Sequence, residues 1–395
     1  MKNNVPSNWS IKNISEIANT SSGGTPSRSN IQFYTNGIYP WVKTGELGNK
    51  YLYDAEEYIT EDAINNSSAK LIEKNSVIMA MYGATIGKMS INKVEVTTNQ
   101  ACCSISCNKN IYNYEFLYYI LSLQKENIIK LGAGGAQPNI SQEIIKRYKI
   151  LCPPLEEQDK IAEILSTWDL AIEKQEQLIE KKKEFKKGLM QMLLSGEVRF
   201  KEFNDKWKIK EIGNYIEEYK EKSTISNQYP VLTSSRNGIV LQKDYFKDNQ
   251  VTTNDNIGYN IIPKGYITFR TRSDDGTFVF NQNKIIDMGI VSYFYPVFKF
   301  NEEINTYFAI TWLNSCIDKQ IRREIVGTSQ LVLSLNKLKK FKINLPSIKE
   351  QNKIAEVLIS VDEEIELLEK ELEAIKLQKK GLMQRLLTGE VRVKV

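Results

Sequence analysis

No histidine occurs anywhere in the 395 residues. That absence removes Ser–His and Cys–His nucleophilic pairs and every histidine-bearing zinc site. Cysteine is scarce: Cys102, Cys103, Cys107, Cys152 and Cys316. An odd number in mostly apolar surroundings predicts reduced, buried thiols, and Cys102-Cys103-x3-Cys107 has no zinc spacing. No apolar run approaches the roughly 20 residues that span a bilayer. The opening MKNNVPSNWSIKN has no signal-peptide core. The expectation is a cytoplasmic protein with no membrane contact. There is no Gly-x4-Gly-Lys-Ser/Thr phosphate loop and no Asn/Asp-Pro-Pro-Tyr/Phe motif of amino-methyltransferases. Gly132-x-Gly134-Gly135 lacks the strand before it and the acid after it, so it reads as a flexible loop. The acid pairs Glu156-Glu157 and Glu363-Glu364 fall on helix surfaces. These absences predict a chain that makes no bonds itself and binds no metal or cofactor.

What is present is a repeat. PPLEEQDKIAEILSTWDLAIEKQEQLIEKKKEFKKGLMQMLLSGEVRF begins at Pro153, and PSIKEQNKIAEVLISVDEEIELLEKELEAIKLQKKGLMQRLLTGEVRV begins at Pro346. They align without a gap. A repeat of this kind fixes the architecture before any motif does. In the second copy Ile354, Leu358, Val361, Ile365, Leu368, Leu372, Ile375 and Leu382 follow steps of four and three, skipping Lys379, which is a coiled-coil seam. The first copy offers Ile161, Leu165, Trp168, Ile172, Ile179, Leu189 and Leu193, with Gln175, Lys182 and Lys186 at seam positions. A proline precedes each helix, and Gly196 or Gly389 suits a left-handed cap at its end. About 40 residues at 1.5 Å make a rod of roughly 60 Å. Such a rod cannot bury its own seam, so the two copies are expected to pack on each other. Gly188 and Gly381 lie inside the pattern and would mark either a bend or a close crossing.

Between the helices lie two divergent regions. The chain divides into residues 1–152, a first helix segment 153–200, a second globular region 201–345 and a second helix segment 346–395. Short β-rich runs (39–43, 76–82, 89–91) and a helix from Asn113 to Gln124 are read in the first region. Trp207-Lys208-Ile209 echoes Trp9-Ser10-Ile11, and 305–314 echoes the Asn113 helix. The repeat is nearly circular: Val391-Arg392-Val393, read as strand-like, would lead back to Trp9 as Val198-Arg199-Phe200 leads to Trp207. The fold class is α+β.

Recognition is the function that remains. Net charge is +5 and the pI about 8.6, a mild basicity that suits a nucleic-acid partner. Bases are read by Arg, Lys, Asn and Gln, and phosphates are held by Lys, Arg and hydroxyls. The candidate contacts are Arg28, Lys43, Thr44, Tyr82, Lys88 and Gln100 in the first region. In the second they are Arg236, Asn237, Arg270, Arg272, Ser273 and Arg322. On the residues alone, two rivals stay open: a coiled-coil adaptor for proteins, and a self-sufficient methyltransferase or nuclease.

LPxxxEQxKIAE at Leu345–Glu356, PPLEEQDKIAE at Pro153–Glu163, and KGLMQxLLxGEVR at Lys187 and Lys380 give the chain a family resemblance. It resembles the specificity (S) subunits of type I restriction-modification systems, over its whole length. The resemblance implies two target recognition domains, each binding half of a split sequence in double-stranded DNA. It implies that the helices pair as an antiparallel coiled coil with pseudo-two-fold symmetry and space the readers. Two methylation (M) subunits and restriction/motor (R) subunits would be the partners. S-adenosylmethionine, ATP and Mg would be bound by those partners, and the complex would serve host defence. Glu157, Gln158, Ile161, Leu165, Gln351, Ile354, Leu358 and Leu382 would form the spacer and partner-docking surface. Lys182 and Lys186 depart from a clean seam, so pairing is expected to weaken there.

Overall fold

The computed structural model describes residues 5–132, 139–246, 255–324 and 331–394. Residues 133–135 of the glycine loop lie outside them. The two repeats form single helices, Leu155–Ser195 and Ile348–Leu387. Each ends where expected: Gly196 and Gly389 both take a φ of +76°. A side chain is disfavoured there, and glycine closes the helix without strain.

The compact units cut across the linear segments. One comprises Met1–Gln177 with Lys370–Val395, and the other Leu178–Glu369. Each unit therefore holds one globular region, the start of one long helix and the end of the other.

In the first unit the main sheet runs in the order 18–22, 102–107, 77–80, 89–92, 51–52, and a smaller sheet runs 58–59, 39–42, 97–98. Strand Cys102–Cys107 fits mid-sheet because its side chains are small and almost all buried. Helix Tyr114–Leu131 buries Phe116, Leu117, Ile120 and Leu121, the side read as apolar, and Tyr119 as well. Asn113 caps it, its side chain accepting from Glu115 and Phe116 backbone N–H groups. Ile161, Ala162 and Leu165 of the first long helix and Leu386 and Leu387 of the second share this core.

The second unit has a four-stranded sheet, 216–219, 297–300, 267–268, 281–282, and several two-stranded ribbons. Phe269, Phe280, Phe298 and Phe308 are buried at its centre. Helix Thr306–Ser315 packs there with Leu193 and Leu194 from the first long helix and Ile354 and Leu358 from the second. Matching strand pairs close both regions: Ser10–Asn13 with Lys149–Cys152, and Lys208–Glu211 with Lys342–Leu345.

Within each unit the long helices run antiparallel. In the first, Asp169 pairs with Lys379, Gln175 donates to Glu371 at 3.0 Å, and Lys376 meets Glu176 at 2.9 Å. In the second, Lys186 pairs with Asp362, and Lys182 meets Glu364 at 2.7 Å. Lys183 and Glu369 lie 2.6 Å apart there. The seam lysines thus do not weaken the pairing by facing a hydrophobic strip; each reaches a carboxylate on the opposite helix. Ile179 and Ile365 in the second unit and Leu372 in the first are buried seam residues.

Other expectations change as well. Val391–Val393 and Val198–Phe200 are not strands; each is an irregular tail after its helix. A Cβ built on Gly188 or Gly381 meets nothing within 4 Å, so no close crossing within the chain accounts for either glycine. Cys102, Cys103, Cys107 and Cys152 are buried, but Cys316 is exposed. Among the described residues, no helix is long and apolar enough to cross a membrane.

Candidate nucleic-acid interface

The small-residue loop near residue 23 is packed tightly for a reason. A Cβ on Gly23 would lie 2.2 Å from the Thr98 carbonyl oxygen, and one on Gly24 2.3 Å from Ser68. Trp41 Nε1 donates to the Gly24 carbonyl at 3.0 Å, and Thr25 donates to Gln100. Arg28 and Lys43 share one carboxylate. Arg28 meets Glu57 at 2.7 Å, and Lys43 meets Glu57 at 2.8 Å and Glu56 at 3.6 Å. The Arg28 guanidinium lies over Tyr34 and Trp41, at 4.4 and 4.9 Å from their ring centres. Hydrogen bonds from Arg28 and then Lys43 hold the Glu57 carboxyl below its ordinary range. Two cations thus face two carboxylates. The cluster is poised for exchange, since an exposed ion pair is worth only about 0–1 kcal/mol and a base edge or phosphate can displace one partner.

In the second unit, hairpin 232–235/238–241 turns at Arg236-Asn237, with Gly238 at φ +119°. Asn281 Nδ2 holds its stem, donating to Ser234 Oγ at 2.7 Å and the Ser235 carbonyl at 2.8 Å. Arg236 pairs with Asp275. The Thr277 backbone and the Ser273 hydroxyl, with Arg236 beside them, hold Asp275 down at about 2. Arg272 lies over the Phe294 ring at 4.1 Å. Arg236, Arg270, Arg272, Ser234, Ser235 and Thr277 line a groove of about 310 Å³. A larger groove of about 710 Å³ adjoins it, sharing Arg270 and Tyr245 and adding Tyr259, Tyr293 and Tyr295. Among the described residues neither Arg270 nor Arg272 has an ion pair. Guanidinium groups beside aromatic faces can read guanine edges and stack on bases.

The helix junctions repeat in both units. Glu157, read from the sequence as a surface acid, is instead 3% exposed, because it accepts from Asn8 Nδ2 and Trp9 Nε1, both at 3.1 Å, and from Arg392 Nε at 3.0 Å. Glu350, 1% exposed, accepts from Arg199 Nε and Nη2, both at 2.8 Å, and from Trp207 Nε1 at 3.1 Å. The neighbouring glutamines clamp the domain helices. Gln158 Oε1 accepts from Asn113 N and Gln351 Oε1 from Asn305 N, each at 2.9 Å. Gln158 and Gln351 Nε2 donate back to the Pro153 and Pro346 carbonyls. The EQ pair that opens one long helix therefore grips the arginine tail of the other and the nearest domain helix. Burial pushes the Glu157 carboxyl up, but hydrogen bonds from Arg392, Trp9 and Asn8 outweigh it and leave it lowered.

A family model of the type I restriction modification DNA specificity domain matches residues 6–181 and again 202–377. The chain belongs to that family. It is 28% identical to the type I restriction enzyme MjaVIII specificity subunit of Methanocaldococcus jannaschii, over 99% of this chain and 94% of the relative. The Escherichia coli EcoR124I/EcoR124II specificity subunit is 31% identical over 40% of each chain. The fold is that of a type I restriction-modification system S subunit from M. genitalium (TM-score 0.56, 18% identity, 98% of this chain and 97% of that one). The Thermoanaerobacter tengcongensis HsdS subunit also shares it (TM-score 0.53, 13% identity, 99% of each).

Within the two specificity domains, the sequence candidates separate into groups. Arg28 and Lys43 share Glu57, Thr44 adjoins Lys43, and Gln100 joins through Thr25. Tyr82 and Lys88 flank the Gly83–Gly87 turn instead, and both are exposed. Arg236, Arg270 and Arg272 meet in one groove, with Asn237 exposed at the hairpin tip. Ser273 is 6% exposed at the groove wall, and its hydroxyl donates to Asp275 at 3.0 Å. Arg322 is exposed on a separate helix, Asp318–Glu324, whose Ile321 is buried.

The spacer and docking residues are occupied within the chain. Glu157, Gln158, Ile161, Leu165, Gln351, Ile354 and Leu358 are buried, and Leu382 packs against the first core. The side chains of the buried seven serve the chain's own packing. Sequence reasoning missed Glu57, Asp275, Tyr34 and Phe294, which come from other loops. It also missed the Trp–Glu–Arg junctions, whose signal was the double occurrence of all three residue types.

Proposed function

We propose that this chain is the non-catalytic reading subunit of a type I restriction-modification complex, acting in the cytoplasm. Each unit reads one half of a bipartite target in double-stranded DNA, and the paired helices set the spacer between halves. Two methylation subunits and restriction/motor subunits supply the chemistry, with S-adenosylmethionine, ATP and Mg held on those partners. The observation that carries this reading is the double match to the DNA specificity domain. The relatives named as specificity subunits over nearly the whole length support it. Among the described residues no group of three or more His, Cys, Asp or Glu is placed to hold a metal ion.

The test is to express the chain with its methylation subunits and map the methylated adenines. Two short motifs at a fixed separation are expected, with DNA affinity falling steeply as salt rises. An undivided motif, or salt-independent binding, would sink the reading. A second measurement tests the ruler: deleting one heptad from both long helices should shorten the spacer and leave the half-sites unchanged.

A further inference from the structure

The first unit half-buries a set of charges that the second does not match. Lys50 immediately precedes edge strand Tyr51–Leu52, at the end of the loop that carries Lys43 and Thr44. Its side chain is 13% exposed. Lys50 Nζ lies 3.0 Å from Asp169, 3.4 Å from Glu115, 2.9 Å from Ser166 Oγ and 2.5 Å from the Tyr119 hydroxyl. Ser166 donates to Glu115 at 2.6 Å, and Tyr51 donates to it at 2.9 Å. Asp169 also accepts from Tyr119 and pairs with Lys379 of the second long helix. One lysine thus ties the loop of a candidate reader to the domain helix and, through Asp169, to both long helices.

The charges balance, two lysines against two carboxylates. Burial pushes Glu115 and Asp169 up, but hydrogen bonds and the lysines outweigh it and leave both carboxyls lowered. The second unit keeps only part of this. Tyr307 donates to Asp362 at 2.5 Å, and Lys186 pairs with it, as Tyr119 and Lys379 do with Asp169. Among the described residues, no cation of the second recognition domain reaches Asp362. The Tyr–Asp–Lys set is therefore common to both units, and Lys50 is an addition to one.

We propose that Lys50 is a positioning residue for target recognition, fixing the first reading loop in register with the long helices. It thereby sets the phase at which the first half-site is presented. This rests on the two-half-site reading above. A slip of one base pair moves a reader about 3.4 Å along the duplex and about a tenth of a turn around it. An anchor that holds against such a slip must resist both. A half-buried charge network spread over four elements does so, because its members cannot part without leaving a charge unpaired.

The test uses the full chain assembled with its methylation subunits. The substrates are duplexes with the mapped target at its native spacer, and at one base pair more or fewer. The readout is the ratio of methylation on native to altered spacers. Lys50→Met is expected to lower that ratio about tenfold, while selectivity for the second half-site is kept. A merely stabilising lysine would lower the thermal midpoint and leave the ratio where it was. A ratio within about twofold of wild type overturns the proposal. Should Lys50→Met fail to assemble, Ser166→Ala removes a bridging hydroxyl without unpairing a charge. An expected shift of about threefold is then read in the same ratio, and no shift overturns the proposal. A wild-type complex that modifies an undivided site would instead remove the underlying reading.

Discussion

The two units share their joints and differ in their candidate reading faces. In both, a buried glutamate receives an arginine and a tryptophan, and a buried glutamine caps a domain helix. The faces diverge. Arg28 and Lys43 are held against Glu56 and Glu57, whereas Arg270 and Arg272 line open grooves with aromatic neighbours. The repeated residues hold the frame, where a change leaves a buried group unpaired. The divergent residues sit on loops, where exchange costs little stability.

The sharpest way to break this comparison is at the joints. Glu157→Ala leaves Arg392 and the Trp9 indole N–H without their acceptor. It should destabilise the first unit by about 3 kcal/mol, and Glu350→Ala should do the same to the second. Hydrogen exchange resolved by unit would show each loss confined to its own unit. Equal loss in both units from either change would refute independent joints.

Reading should be separable from holding. Arg270→Ala with Arg272→Ala is expected to cost about 2 kcal/mol of binding. The loss should fall on one half-site, with the melting temperature little changed. Methylation of targets mutated in one half at a time checks it. A response spread over both halves would remove these arginines from the reader's role.

Arg28→Ala should act on the other half-site, and less strongly, by about 1 kcal/mol, because Glu57 already shares its charge. Glu57→Gln should raise non-specific DNA affinity and steepen its salt dependence, since a carboxylate beside two cations is removed. Salt titrations of the two variants distinguish them.

The smallest effect is on pH. Glu157, Glu115 and Asp169 all have carboxyls lowered in the folded state, after hydrogen bonds and cations outweigh burial. Their stabilisation is complete above the unfolded values, about 4. It fades as pH falls toward the folded ones. The first unit should lose thermal stability between about pH 5 and about pH 3, and Lys50→Met should shrink that dependence. Calorimetry across this range would test it.

Much of the frame was legible from the chain alone. The heptad steps from Ile354 to Leu382 and their partners from Ile161 to Leu193 predict paired helices, because a 3.5-residue apolar period leaves a strip that only another helix can cover. Glycine after each repeat marks the helix ends, because only glycine takes a left-handed φ without strain. The arginine-rich stretches 270–272 and 236 were visible as candidates. Their acid partners were not, because Asp275 and Glu57 approach from loops with no fixed spacing to the cations they meet.

The repeat and its period determined by themselves that two rods pair and two unlike regions hang from them. Only the tertiary structure decided that each unit is built from the opening of one rod and the closing of the other. It also decided that Glu157 and Glu350 face inward to arginines, and that Lys50 is half-buried where composition would leave a lysine in solvent. The physical reason is range. Periodicity is local and is written along the chain, whereas the pairing of a buried charge depends on groups brought together from distant segments.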